Sequence, residues 1–563
     1  MSTNGNRKRV RSVRVTSFDS APGRLARLWS GLRRSDVLLR SGLALAAVLA
    51  AWAVTQAWWP PFPYHVGFVP QRNITARVNF DVADPRALAT ETEKRLHYEK
   101  GEALALADEP LQPKTIDLLE SEYRAYLHII PRDRLVERSV AMFALIAGLV
   151  ALCGYYLCFR HRRLVHNLYR LATLVTFSVV ALLLARYAAN DPGRAELIPL
   201  LCYSMTLGIA YGRELSLVLS LAVTLLFVVA EGAGLGQLAL LLGVSATAVV
   251  QLDRIRSRRK LIWVGFYAAL AAPLLTLGAG LIDAQPLGAP LWNQAYHNAG
   301  WALLTGIVMT GLLPFIEGIF GVLTEISLLE LGDVAHPLLQ ELVRRAPGTY
   351  NHSINVASIA EAAAESVGAR GLLVRVGAYF HDIGKMLKPH YFVENQGLEA
   401  SRHDSLLPAM STLIIIAHIK DGADLARQHH LPEPIVDLIE QHHGTTLVEY
   451  FYRRASERSE TDPDAGDVPE SSFRYPGPKP QTVEAAVLML ADTVESASRA
   501  LVEPTPSRIE NLVEEIAMKK LLDGQFDECG LTLQKLRQIE ESLIKSLTAV
   551  YHGRVKYPDQ RTA

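Results

Sequence analysis

The residues with the greatest chemical capacity lie between Gly377 and Lys385, in the run GAYFHDIGK, where His381 and Asp382 are adjacent. Further nitrogen and oxygen donors stand on both sides: His352 in GTYNHS, His418 in IIIAHIKDG, His442 and His443 in EQHHG, and Asp492 in LMLADTVE. Each falls at or near the end of an apolar helical pattern. Six donors plus one shareable carboxylate match the needs of two divalent transition metals. Two such ions about 3.5–4 Å apart can activate a nucleophile, neutralise the non-bridging oxygens of a phosphodiester and assist the leaving oxygen. Imidazole mixed with carboxylate suits iron, manganese or zinc, whereas magnesium takes mostly oxygen. The expected arrangement places one metal on His352, His381 and Asp492 and the other on His418, His442 and His443, with Asp382 as bridging and catalytic carboxylate. Lys385, one helical turn beyond His381, is expected to face the same side and to act catalytically by meeting a phosphate oxygen.

A single helical histidine is more often structural than a ligand, so the joint pattern carries the reading. The chain supplies its own controls in a second His-Asp pair, His403-Asp404, and a second double histidine, His429-His430. The first lies in a polar, Pro-bounded loop (ASRHDSLLP), and the second closes a helix before Pro432, where cationic side chains favour the helix dipole. Both are assigned structural roles.

These elements sit behind a membrane region. Half of the residues are hydrophobic, high for a soluble chain of 563 residues, and lysine plus arginine equals aspartate plus glutamate at 57 each. Global charge therefore decides nothing, and its distribution does. Cys153, Cys158 and Cys202 lie in apolar runs and Cys529 stands alone, so no disulfide framework or CxxC metal site is implied. Roughly 17–25 apolar residues of helix cross a bilayer. A basic cytoplasmic tail (1–36) precedes a first apolar span (37–59), read as an uncleaved anchor. A polar, mixed extracytoplasmic segment of uncertain fold follows (60–138), then a seven-helix block (139–323). Its spans are expected at 139–159, 168–188, 197–210, 215–230, 235–252, 261–282 and 299–323. RHRRLVHNLYR (from Arg160) and DRIRSRRK (from Asp253) are strongly basic, while the loops from Asn190 and from Asp283 are nearly free of basic residues. Excess lysine and arginine marks the cytoplasmic side, which places both termini there.

From Thr324 to the end (324–563) the pattern changes to amphipathic helices with caps and breakers. They are expected at 338–345, 354–367, 372–380, 407–418, 434–442, 483–501, 507–522 and 531–551, with a mobile acidic loop over 453–481. Leu338, Leu339 and Val343 are expected to bury against the domain carrying His352. The chain is thus read as an all-α, polytopic membrane protein with a C-terminal cytoplasmic helical domain able to bury its own core.

LTEISLLELGDVAHPLLQELVRRAPGTYNHS, VGAYFHDIGK, LIIIAHIKDG, LIEQHHG, FRYPGPKPQ, EAAVLMLADTVESASR and DGQFDECGLTL resemble the bacterial seven-transmembrane HD family, whose PgpH-type members are cyclic-di-AMP phosphodiesterases. The resemblance implies an HD-domain helical bundle with two metal ions, iron or manganese, hydrolysing cyclic-di-AMP to linear pApA in the cytoplasm at the inner membrane. Its ligand positions fall on His352, His381, Asp382, His418, His442, His443 and Asp492, none substituted. Implied partners are the cyclic dinucleotide, the lipid bilayer and an effector at the outer or membrane segment, with no nucleic-acid polymer. The outer segment is shorter than is usual in that family, although VGFVPQRNITARVNFDVAD resembles the start of the family's outer domain. Two other functions fit the same residues: an HD hydrolase of cyclic-di-GMP or a nucleoside polyphosphate, and a receptor whose HD domain only binds. EQHHG runs into TTLVEYFYRR without a Gly-Tyr-Pro signature, which opposes cyclic-di-GMP, and the intact donor set opposes a binding-only domain.

Overall fold

The computed structural model describes residues 35–83, 95–191, 193–252, 255–396, 401–461 and 468–552. The basic tail through residue 34 lies outside them. The chain divides into two compact units: the first ends at Phe320, and the second runs from Gly321 and includes a short stretch ending at Lys260.

Among the described residues, the first unit carries eight apolar helices: Ser35–Val54, Arg132–Arg160, Leu168–Ala189, Leu197–Tyr211, Arg213–Glu231, Leu235–Gln251, Arg258–Ile282 and Ala289–Phe320. Six are long and apolar enough to cross a membrane, and Leu197–Tyr211 and Leu235–Gln251 are shorter. Two helices begin earlier than hydropathy alone indicates, at Arg132 and Ala289. Their starts are set by Pro131 at the N-cap and Pro290 in the first turn, where proline leaves no needed donor missing. The segment between the first two apolar helices is mixed α and β. Ile74–Thr75 pairs with Ala103–Ala105, and Phe80–Ala83 with Arg95–Tyr98, both antiparallel. Helix Pro113–Ile129 shares with them a small core that includes Ala76, Phe80, Leu104, Leu111 and Leu119. Glu122, buried on this helix, is held by the Arg77 guanidinium at 2.7 Å, which compensates a carboxylate taken out of water.

The second unit is helical. Its principal helices are Glu325–Leu331, Pro337–Arg345, Pro347–Ser366, Gly371–Phe380, Pro408–Gln428, Glu433–Gln441, Glu449–Thr461, Val483–Ser498, Pro506–Leu522 and Leu533–His552. Val483–Ser498 is apolar on nearly every face and occupies the middle of the core, as such a pattern requires. It starts where the Thr482 hydroxyl accepts from the Ala485 N–H at 3.2 Å. Leu338, Leu339 and Leu342 are buried on Pro337–Arg345, whereas Val343 is exposed, contrary to expectation; the inward stripe runs one residue earlier.

Two further expectations are corrected. The helix carrying His418 continues past it to Gln428, through Gly422, because that glycine is packed closely against Gly384 instead of breaking the helix. Residues from Arg453 to Thr461, expected in a loop, are helical within Glu449–Thr461. This polar helix buries Phe451 and is tied outward by contacts such as Glu449 with Lys519, so tertiary anchoring replaces an apolar stripe. Residues 462–467 of the expected loop lie outside the described residues.

Candidate metal centre

The donors singled out in the sequence converge within the second unit. Ligand atoms of His418, His442 and His443 lie within 4.8 Å of one another, as do those of His352, His381, Asp382 and Asp492. Asp382 faces both groups. Its Oδ2 is 3.2 Å from His381 Nε2 and 3.7 Å from His352 Nε2, while its Oδ1 is 3.4 Å from His418 Nε2 and 3.7 Å from His442 Nε2.

Local structure sets this geometry. His381 and His442 terminate their helices, and each donates Nδ1–H to the carbonyl three residues earlier, Ala378 and Ile439, both at 2.7 Å. These are carbonyls that a helix end leaves without partners. His418, inside its helix, does the same to Ile415 at 2.5 Å. A carbonyl only accepts, so the proton is on Nδ1 and Nε2 points inward as the donor atom. His352 is oriented differently: its Nδ1 lies 2.6 Å from Glu495 Oε2 and its Nε2 2.9 Å from Asp492 Oδ1. A Cβ at Gly384 would overlap the backbone of His418 and Gly422, so the turn after Asp382 reaches His418 only because it carries glycine. Gly444, at φ 53°, turns the chain after the paired histidines in the left-handed region.

The electrostatics divide the two groups. Burial opposes charge on His381, but Asp382 and Asp492 outweigh it and raise its pKa to about 10. His352 is raised in the same sense, burial being overcome by Asp492 and Glu495. Asp382 and Asp492 are held well below the usual carboxylate range, their burial outweighed by the surrounding cationic side chains. In the other group burial dominates: it lowers His442 to about 3, with His381 adding to the effect, and lowers His418 and His443 as well. Three neutral imidazoles thus face a cluster that has concentrated the carboxylates.

The set fits divalent transition metals by its donors. His381 Nε2 is buried without a hydrogen-bond partner, and the Asp382 oxygens make only ionic contacts. Lys385 is in the short 3-10 turn Ile383–Leu387 and not one α-helical turn beyond His381. Its Nζ is 2.6 Å from Asp382 Oδ2 and 3.0 Å from Glu394 Oε1. The turn brings the ammonium back over the carboxylate that precedes it. A cavity of about 550 Å³ opens beside the cluster, lined by Lys385, His418, His443, Tyr475, His403 and Arg454 among others. His403 joins neither donor group; its Nε2 contacts the Tyr391 carbonyl at 2.8 Å and it lines the cavity wall. His429 and His430 are exposed at a helix end. Glu495, Glu394 and Tyr475 were not singled out in the sequence. The i,i+3 relation of Asp492 and Glu495 on one helix is the signal that points to Glu495.

Residues 138–324 match the family model "7TM receptor with intracellular HD hydrolase", and residues 349–497 match "HD domain". The chain is 40% identical over 394 residues to a Listeria monocytogenes protein named cyclic-di-AMP phosphodiesterase PgpH, covering 69% of this chain and 54% of that one. A Bacillus subtilis protein of the same name is 42% identical over 314 residues, covering 56% and 43% respectively. The chain spans about half the length of the curated relatives it matches. A crystal structure of the L. monocytogenes PgpH HD domain in complex with cyclic-di-AMP is 49% identical, with 39% of this chain and 100% of that one covered, at TM-score 0.37. Residues 138–324 are thus similar to the receptor-type membrane block and residues 349–497 to the HD domain, in that order along the chain.

Proposed function

We propose that the protein is a membrane-anchored, metal-dependent phosphodiesterase that hydrolyses cyclic-di-AMP to linear pApA. The observation that carries the proposal is Asp382, a buried carboxylate with one oxygen toward each donor group. His352, His381 and Asp492 would hold one divalent ion and His418, His442 and His443 the other, with Asp382 between them; manganese or iron suits this mixture of imidazole and carboxylate. The ions would supply positive charge against the phosphate oxygens and lower the pKa of the attacking water. Water adds to one phosphorus, the bond from that phosphorus to the ribose 3′ oxygen breaks, and the 3′ oxygen leaves with a proton. The product keeps a terminal 5′ phosphate. Asp382 and Asp492, both buried, would help hold the cations, and Lys385, on the cavity wall, would meet a non-bridging phosphate oxygen. The names of the two relatives support cyclic-di-AMP as the substrate.

We infer a cytoplasmic HD domain and cytoplasmic termini. The basic loop after Leu252 supports this side, and Arg256 of that loop lies 2.7 Å from Glu325 within the second unit. The outer and membrane segments are the place for an effector. Full-length protein in lipid nanodiscs, loaded with manganese or ferrous iron, should convert cyclic-di-AMP to pApA faster than it hydrolyses cyclic-di-GMP or a nucleoside triphosphate. Preference for either competitor would overturn the substrate assignment.

A further inference from the structure

We propose that Glu495 is a positioning residue that makes the two halves of the centre unequal, so that the ion on His352, His381 and Asp492 binds first and more tightly. The inference rests on the two-metal reading above. His381, His418 and His442 are each oriented by a neutral carbonyl of their own helix. His352 is instead oriented by a carboxylate from a distant part of the chain, Glu495, at 2.6 Å. Glu495 is only 4% exposed, so water does little to dissipate its charge. Its second oxygen accepts from Arg499 Nη2 at 2.6 Å and from Asn355 Nδ2 at 3.2 Å, which fixes the carboxylate plane against the imidazole.

The chemistry follows from the acceptor. A hydrogen bond to an ionised carboxylate is shorter and stronger than one to a carbonyl, and it draws the Nδ1 proton away from the ring. The ring's Nε2 becomes the more basic donor, as in carboxylate–histidine–metal arrangements. Because Asp492 and Glu495 are three residues apart on one helix, Val483–Ser498 supplies both a proposed ligand and the group that orients its neighbour. Among the other donors, His418 and His442 have carbonyl partners, and His443 Nδ1 is 3.7 Å from Asp492 Oδ2. Anionic support is concentrated on one side.

The test is a Mn²⁺ titration of the chelator-stripped full chain in nanodiscs, with free ion read by electron paramagnetic resonance. Wild type should bind in two phases. Glu495→Gln keeps the size and an acceptor but removes the charge, and should weaken the tight phase by about 10–100-fold while leaving the weak phase in place. Arg499→Met removes one donor to the far oxygen but leaves the charged carboxylate on His352, with Asn355 still holding it, and should weaken the tight phase much less than Glu495→Gln does. Four results would overturn the proposal: two equal phases in wild type, an unchanged tight phase in Glu495→Gln, equal weakening by both variants, or loss of both phases together in Glu495→Gln. Absence of any Mn²⁺ binding by wild type would instead remove the two-metal reading on which it rests.

Discussion

At the residue scale, Asp382 carries the most. Removing it takes charge from both proposed sites and leaves two cations to repel each other, so Asp382→Ala should abolish hydrolysis and lose bound metal. The loss should exceed the roughly 10–100-fold that an outer-sphere partner costs. Activity and metal content by mass spectrometry check this together, with His429→Ala, exposed and remote in role, expected to match wild type. A rate for Asp382→Ala within about tenfold of wild type, some 1.4 kcal/mol of barrier, would contradict the two-metal centre. The pKa pattern gives a second prediction. Metal-free His381 is protonated below about pH 10, so an ion entering its group must displace that proton. Affinity there should rise with pH by up to about tenfold per unit. His418, His442 and His443 are already neutral, so the other site should change little over the same range. Mn²⁺ titrations at several pH values separate the two; parallel slopes at both sites would contradict the assignment. The sign for folding is opposite. A raised histidine pKa stabilises the metal-free fold fully below about pH 6.5, and that contribution fades as pH rises through about 10.

At the element scale, the centre depends on the close crossing of the turn after Asp382 with the helix Pro408–Gln428. Gly384 is the point of contact, and any side chain there would overlap the His418 backbone. Gly384→Ala should therefore destabilise the second unit by about 1–3 kcal/mol through overpacking. It should also reduce hydrolysis more than that loss of stability explains, since the shift moves His418 away from Asp382. Scanning calorimetry and turnover below the melting transition measure the two effects independently. Normal turnover in a destabilised variant would show that the crossing serves packing alone. The helix Glu449–Thr461 illustrates why such elements escape a reading by periodicity. Its sequence, EYFYRRASERSET, has little apolar stripe, and its anchors are Phe451 and contacts to residues far along the chain.

At the scale of the whole molecule, topology and coupling are the open quantities. A reporter inserted within 256–259 should be cytoplasmic, and reporters near Pro286 or Ala103 should lie outside, as the loop charges require. The reverse at either loop would break the eight-span order. Coupling is addressed at the exit from the last apolar helix. After Phe320 the chain runs through Leu323, whose carbonyl accepts from Arg370 Nη2 at 2.7 Å, into Glu325–Leu331. Inserting two or four alanines between Thr324 and Leu328 touches no proposed ligand. Hydrolysis should persist in detergent while its response to the membrane environment, compared between nanodiscs of different lipid composition, is altered. Insertions with wild-type behaviour in every lipid would make this joint a passive tether.

Sequence alone determined what is local. Apolar runs long enough for a bilayer, loop charges, helix caps and the candidate His and Asp residues are all properties of a residue and its near neighbours, so the helical membrane architecture could be read directly and the candidate donors picked out. Only the tertiary structure decided what depends on distant segments meeting: that Asp382 turns one oxygen to each group, that Lys385 folds back onto it, and that Val343 faces out while Leu342 faces in. Glu495 is the clearest case. Its place beside Asp492 was visible in sequence, but its bond to His352 spans 143 positions, and no helical or strand periodicity reaches that far. Such contacts are fixed by which helices share a core, and that is settled by the burial of the whole unit around Val483–Ser498.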